Sequence, residues 1–131
     1  MPPSVSEDSE IANLLNELDC PYIRIASVVL DELPRMVRTH DAAGAAQAAR
    51  HLANLGHTKI AHIHGPKSFR SAHERMIGFI SGLSEFGLEL EPGLTVEAGY
   101  TFESGERAAN QLLSGRVRPT AIFAGNDEMA I

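Results

Sequence analysis

The 131 residues, 44% of them hydrophobic, suffice for one core of ordinary size but not for two comfortable domains. Seventeen acidic against eleven scattered basic residues give a formal charge of -6, which argues against a surface that grips duplex DNA. The single Cys20 excludes an internal disulfide, and the sequence lacks both a signal-peptide pattern and an apolar run of membrane-spanning length, so a cytoplasmic chain with no membrane contact is expected.

The first third of the chain predicts one helix and two short strands. Ser6 has the character of an N-cap, and acids follow it at the positive end of the helix dipole. A helix from about 7 to 18 is predicted, ended by Pro21, with an apolar stripe of Ile11, Leu14, Leu15 and Leu18. Short strands are predicted at 22–26 and 36–39.

From residue 40 onward, helices that end at a glycine alternate with single apolar strands. Helices are predicted from about Ala45 to Leu55 and over about 71–86 and 102–114, and strands are predicted over 59–64, 95–98 and 120–124. This alternation predicts βαβ units in an α/β fold with a parallel, doubly wound sheet. In such sheets ligands bind beyond the carboxyl ends of the strands, so the search for a site narrows to four strand-to-helix junctions.

The junction after the strand 59–64 contains Arg75. Ser71 and Glu74 have the spacing of a capping box, which places Arg75 in the first turn of the next helix, close to the cleft. Arg75 has two possible roles. It is either an exposed cation that pairs with Glu74 or another surface acid, or a ligand contact whose guanidinium N–H groups donate to the vicinal hydroxyls or the carboxylate of a small ligand.

Three other junctions offer side chains with two possible roles. Tyr100 precedes the predicted cap Thr101 and either packs on a neighbouring loop or walls the cleft, while Phe102 is expected in the core. Asn126, Asp127 and Asp41 are ordinary capping residues that are equally able to hydrogen-bond ligand hydroxyls.

The chain shows no signature of catalysis or of a bound cofactor. His62 and His64 share one strand face, which permits metal binding, but no third ligand has suitable spacing, and packed or surface histidines are the preferred interpretation. No GxGxxG follows a strand, and neither a P-loop nor a GxSxG elbow is present. No enzyme activity, cofactor or metal is therefore predicted.

Four segments, in their order and spacing, resemble the effector-binding region of the LacI/GalR family of bacterial transcriptional repressors. They are residues 44–61, residues 65–66 with 74–79, residues 103–105 and residues 118–130. The resemblance implies a two-lobed, periplasmic-binding-protein-like domain, with residues 1–40 as the tail part of the N-terminal lobe and 41–131 as the first part of the C-terminal lobe. It also implies effector contacts from Arg75, Asn126, Asp127, Tyr100, Phe69 and Ser71. Relatives usually carry Asp-Asn where this chain has His40-Asp41, which leaves the corresponding contact of Asp41 open.

The function implied is that of the central segment of the effector-sensing and dimerisation domain of a repressor. A small sugar or sugar derivative would bind between the lobes of a homodimer and control operator binding by a helix-turn-helix outside this chain. The last helix is expected to be cut short at Ile131. The rival functions are a periplasmic sugar-binding protein of the same fold, which a signal peptide upstream would indicate, and a Rossmann-like or flavodoxin-like enzyme, which a cofactor titration would reveal.

Overall fold

The computed structural model describes residues 9–25 and 36–131. The predicted cap Ser6 and the end of the strand expected at 22–26 lie outside these residues. The chain divides into a unit of residues 1–40 and a unit of residues 41–131. Within the described ranges, no helix combines the length and the apolar character needed to cross a membrane.

The first unit contains helix α1 (Ser9–Glu17) and strands β1 (Arg24–Ile25) and β2 (Met36–Val37). The strands pair in parallel, with Arg24 opposite Met36, and of the residues predicted as strand, 22–23 lie before β1 and 38–39 lie after β2. The predicted apolar stripe is only partly correct, because Leu14 and Leu18 are exposed whereas Ala12 is buried.

The second unit contains a three-stranded parallel sheet of order β4-β3-β5. Its elements are α2 (Asp41–Asn54), β3 (Ile60–His64), α3 (Arg70–Ser84), a 3-10 turn (Pro92–Leu94), β4 (Thr95–Glu97), α4 (Phe102–Ser114), β5 (Ala121–Ala124) and α5 (Asp127–Ala130). The central strand β3 is buried along its whole length, as expected of a parallel strand covered on both faces. The predicted α/β fold with a parallel sheet is confirmed.

Alternate residues of β3 face two separate cores. Ile60 packs with Phe79 and Leu83 of α3 and with two alanines of α2. Ala61 and Ile63 pack on the opposite face with α4 and with Met129 of α5. Helices therefore cover both faces of the sheet, which is the doubly wound arrangement.

Two glycines of α3 allow close packing against α2. A Cβ at Gly78 would overlap the carbonyl of Ala42, and a Cβ at Gly82 would lie 2.6 Å from the carbonyl oxygen of Ala46. The Ala-rich helix α2 thus lies almost in backbone contact with α3, and its first residues are held against the middle of α3.

The helix starts differ from the predictions in two places. The capping box of Ser71 and Glu74 is wrong, because α3 begins at Arg70 with Phe69 as N-cap and without a side-chain capping bond. Thr101 does cap α4 as predicted, in a reciprocal box with Ser104. Phe102 is not in the core, since it is 46% exposed and lies off the helix face formed by Ser104, Gly105, Ala108 and Leu112.

The helical period of the segment predicted at 71–86 places Met76, Ile80 and Leu83 on one inner face, and this prediction is only partly correct. Leu83 is buried as expected, but Ile80 is exposed. Phe79 takes the inward position instead, because its ring stacks on the ring of Phe123 at a centroid distance of 4.6 Å.

Candidate functional site

The candidate site of the second unit lies where β3, β4 and β5 end and where helices α3, α4 and α5 begin. Parallel strands bring their carboxyl ends to one edge of the sheet, so the three loops that follow them are neighbours. The start of α2 joins this edge through the side chain of Asp41, which contacts α3.

Arg75, in the second turn of α3, is held by two partners from distant parts of the chain. Its Nε donates to Oδ1 of Asp41 over 2.7 Å, and its Nη2 also lies 2.7 Å from that oxygen. Its Nη1 donates to the carbonyl of Gly125, directly after β5. The predicted alternative partner, Glu74, instead accepts a 2.6 Å bond from Arg70.

These contacts fix the plane of the Arg75 guanidinium without using all of its donors. A guanidinium has five N–H groups. One N–H on each terminal nitrogen of Arg75 has no partner among the described residues, and 29% of the side chain is exposed. Asp41 is only 8% exposed. Arg75 therefore presents two oriented donors at the surface, backed by a nearly buried carboxylate.

Tyr100 forms a second part of the edge. Its backbone has a φ of 63, in the left-handed region that non-glycine residues rarely occupy. Its ring lies over Gly65, where a Cβ would overlap it, and meets the ring of Phe69 edge-on at 5.4 Å. The hydroxyl is buried and has no hydrogen-bond partner within the described ranges. The structure thus brings Phe69 and Tyr100 together as an aromatic pair.

Asn126 connects Tyr100 to the end of β5. Its Oδ1 accepts a 3.0 Å bond from the backbone of Met129 and caps α5, and its Nδ2 donates to the carbonyl of Tyr100 over 3.2 Å. The capping role considered for Asn126 is therefore present. Asp127, the first residue of α5, is exposed, and its carboxylate makes no hydrogen bond to the described part of the chain.

Six of the seven predicted site residues thus belong to one connected group, and Ser71 does not. The contacts run from Phe69 through Tyr100 to Asn126, and from Gly125 through Arg75 to Asp41. Ser71 is half-buried inside α3, and no described contact joins it to the others. Asp127 belongs to the group through its place beside Asn126 in the chain.

Two glycines complete the site and were not singled out from the sequence. Gly65 leaves room for the ring of Tyr100, and a Cβ at Gly125 would lie 3.2 Å from the carbonyl oxygen of Ile63. The backbone N–H of Gly125 donates to that same oxygen over 2.8 Å. Both glycines directly follow a predicted strand, which was the available signal.

The two histidines of β3 are packed residues, as preferred from the sequence. His62 stacks on Phe123 at 4.9 Å and its Nδ1 lies 3.0 Å from the Phe123 carbonyl oxygen. The pKa of His62 is lowered from 6.5 to about 4, chiefly by burial; the bond to the Phe123 carbonyl opposes this shift, and nearby His64 contributes to it. Across the described residues, no group of three His, Cys, Asp or Glu side chains could hold a metal ion.

A cavity of about 430 Å³ lies beside the edge strand β4. Its lining includes Glu97, Arg107 and Gln111 but none of the seven predicted site residues. The predicted residues instead lie where the three strands β3, β4 and β5 end and where the next helices begin, together with the start of α2.

Residues 4–131 match the family described as periplasmic binding proteins and sugar binding domain of the LacI family. The chain belongs to this family. The resemblance to LacI/GalR regulators and the periplasmic-binding-protein-like fold are thereby confirmed.

Individual relatives of this LacI-type chain carry the names of transcriptional regulators. The chain is 37% identical to the HTH-type transcriptional regulator DegA of Bacillus subtilis over 127 residues, which are 95% of this chain and 37% of DegA. It is 33% identical to the ribose operon repressor of Escherichia coli K12 over 115 residues, or 84% of this chain and 35% of that repressor. The chain therefore spans little more than a third of either relative.

Solved structures agree with this assignment. A complex of the transcriptional regulator CelR with cellobiose superposes with a TM-score of 0.79 at 29% identity, covering 94% of this chain and 38% of that one. The named relatives are regulators rather than enzymes, and the enzyme and transport rivals are not favoured.

Proposed function

We propose that this LacI-type chain is the central segment of the effector-binding and dimerisation domain of a transcriptional repressor. Residues 1–40 would form the tail part of the N-terminal lobe and residues 41–131 the first part of the C-terminal lobe. A small sugar or sugar derivative would bind at the edge that carries Arg75, with no catalysis and no cofactor.

The observation that carries this proposal is the orientation of Arg75. Asp41 and the Gly125 carbonyl hold the guanidinium in one plane while one N–H on each terminal nitrogen stays unused. These two remaining donors can bond to hydroxyl oxygens of a sugar ring. The exposed carboxylate of Asp127 supplies an acceptor for hydroxyl protons on the neighbouring loop.

The aromatic pair of Phe69 and Tyr100 supports the same proposal. The faces of sugar rings carry C–H groups that pack well on aromatic side chains, and ligand sites combine such apolar walls with a few oriented polar groups.

The names of the relatives are consistent with a sugar-like effector. One relative is a ribose operon repressor, and one solved neighbour is a complex with cellobiose. In the whole protein, effector binding would favour one closure of the two lobes and so shift the balance between operator-bound and free states of a cytoplasmic homodimer. Operator contacts would come from a helix-turn-helix outside this chain.

The test uses the full-length protein and measures operator binding with and without a sugar screen. Arg75→Ala is expected to abolish the effector response while operator binding without effector stays unchanged. Arg116→Ala is the matched control, because Arg116 is exposed after α4 and no described contact involves its side chain. An Arg75→Ala protein that still responds at the same effector concentration would overturn the assignment of the site.

A further inference from the structure

We infer that Asp41 is a positioning residue which makes the site select uncharged polyhydroxyl ligands over anionic ones such as sugar phosphates and uronates. The inference rests on the proposed function and adds the charge class of the effector to it. It departs from the direct effector contact considered for Asp41 on sequence grounds.

The carboxylate of Asp41 is nearly buried and is in contact with Arg75. It is 8% exposed, and its Oδ1 faces both Nε and Nη2 of Arg75 at 2.7 Å. An oxygen that already accepts from a guanidinium at this distance is a poor partner for a ligand hydroxyl. Asp41 therefore acts on the ligand through Arg75, by fixing the direction of the remaining donors.

The contact with Asp41 also compensates the positive charge of Arg75. A guanidinium without a counterion attracts carboxylates and phosphates, because it offers them both charge and paired donors. In this site the charge of Arg75 is compensated by Asp41 in direct contact, so the donors remain but the net attraction for an anion is largely cancelled. Donors of this kind suit neutral hydroxyl oxygens.

Among the other charged side chains described at this edge, acids outnumber the bases that have no acidic partner. The ion pair of Arg70 and Glu74 is likewise compensated. Lys67 is exposed on the loop before α3, but the first turns of α4 and α5 add three acids, which are Glu103, Asp127 and Glu128. An anionic ligand would meet more negative than positive charge at this edge.

Unlike the start of α3, which has no side-chain cap, the starts of α4 and α5 offer little compensation for an anion. Thr101 accepts from the backbone of Ser104, and Asn126 accepts from the backbone of Met129, so side-chain caps occupy donors that would otherwise point at a ligand.

The test compares matched ligands that differ by one charge. Calorimetric titration of the full-length protein is run with ribose against ribose 5-phosphate, and with glucose against glucose 6-phosphate and glucuronate. The expected result is a Kd for the neutral member at least tenfold below that of its anionic partner. An anionic member that binds as tightly or more tightly overturns the inference while leaving the proposed sugar site intact.

A variant of Asp41 separates the effect of its charge on ligand binding from the effect of its size and shape. Asp41→Asn keeps the side-chain size and an oxygen that can accept from Arg75 Nε but removes the negative charge. The ratio of anionic to neutral Kd is expected to fall about tenfold. Glu85→Gln is the control, because Glu85 forms an equally short ion pair with Arg50, at 2.7 Å, outside the site; its ratio should equal that of the wild type.

The ratio is a readout that a merely structural role of Asp41 would not move, since general loosening weakens both ligands of a pair together. An unchanged ratio in Asp41→Asn overturns the inference. If that variant does not fold, the wild-type ratio alone decides. If none of the sugars binds to the protein and none changes its binding to the operator, both the proposed function and the inference are overturned.

Discussion

Acid should destabilise the second unit through His62, and the structure gives the size of the effect. His62 is fully buried, its ring packs against the rings of both Phe79 and Phe123, and its pKa is lowered from 6.5 to about 4, chiefly by burial. Because the folded-state pKa is depressed, the stability is fully present above pH 6.5. As the pH falls from 6.5 to about 4, the imidazole of His62 takes up a proton in the unfolded chain but stays neutral in the folded chain. At about 1.4 kcal/mol per pH unit, the loss is about 3 kcal/mol.

The assay is urea unfolding of the full-length protein between pH 4 and 8, compared with His62→Phe. Phenylalanine can take the place of the imidazole beside the two neighbouring rings and does not titrate, although it gives up the bond to the Phe123 carbonyl. The variant should lose less stability than the wild type below pH 6.5, by about 3 kcal/mol at pH 4.

A control distinguishes His62 from the other histidines. His51 is exposed on α2, so His51→Gln should keep the pH dependence of the wild type. Parallel stability curves for the wild type and His62→Phe across this pH range would refute the reasoning, because they would show that His62 takes up its proton equally in both states.

Two further predictions concern close packing and a buried hydroxyl. Gly78→Ala should lower the free energy of unfolding by about 2 kcal/mol, since its Cβ would overlap the Ala42 carbonyl, whereas Gly44→Ala, with nothing within 4 Å, should raise it by up to about 1 kcal/mol. Chemical denaturation checks both, and equal effects would contradict the packing of α2 on α3. Tyr100→Phe should raise the unfolding free energy by about 1 kcal/mol in the absence of effector, because it removes a buried hydroxyl that has no partner in the described structure. A lower melting temperature for this variant would show that the hydroxyl is hydrogen-bonded in solution.

The periodic part of the chain could be predicted from local patterns. Glycines after helices and apolar strand segments are short-range signals, so all three strands of the second unit were found within about two residues of their observed bounds. Thr101 and Asn126 were identified as caps because capping depends on residues only three positions away. The resemblance to LacI/GalR regulators rested on the same local strings.

What could not be predicted depends on contacts between distant residues. Arg75 pairs with Asp41, 34 positions earlier, and bonds to the carbonyl of Gly125, 50 positions later, whereas the sequence suggested its neighbour Glu74. The start of α3 at Arg70 accompanies the packing of Phe69 on Tyr100, which overrides the local capping pattern at Ser71. Tertiary packing of this kind leaves no mark on the spacing of residues along the chain.

The central claim, that the edge with Arg75 binds the effector, is tested most directly by a crystal structure of the full-length protein with a bound sugar. In that structure, ligand hydroxyl oxygens are expected within hydrogen-bond distance of both terminal nitrogens of Arg75, while Asp41 stays on the opposite side of the guanidinium. A sugar bound elsewhere, with Arg75 in contact only with Asp41 and Gly125, would contradict it.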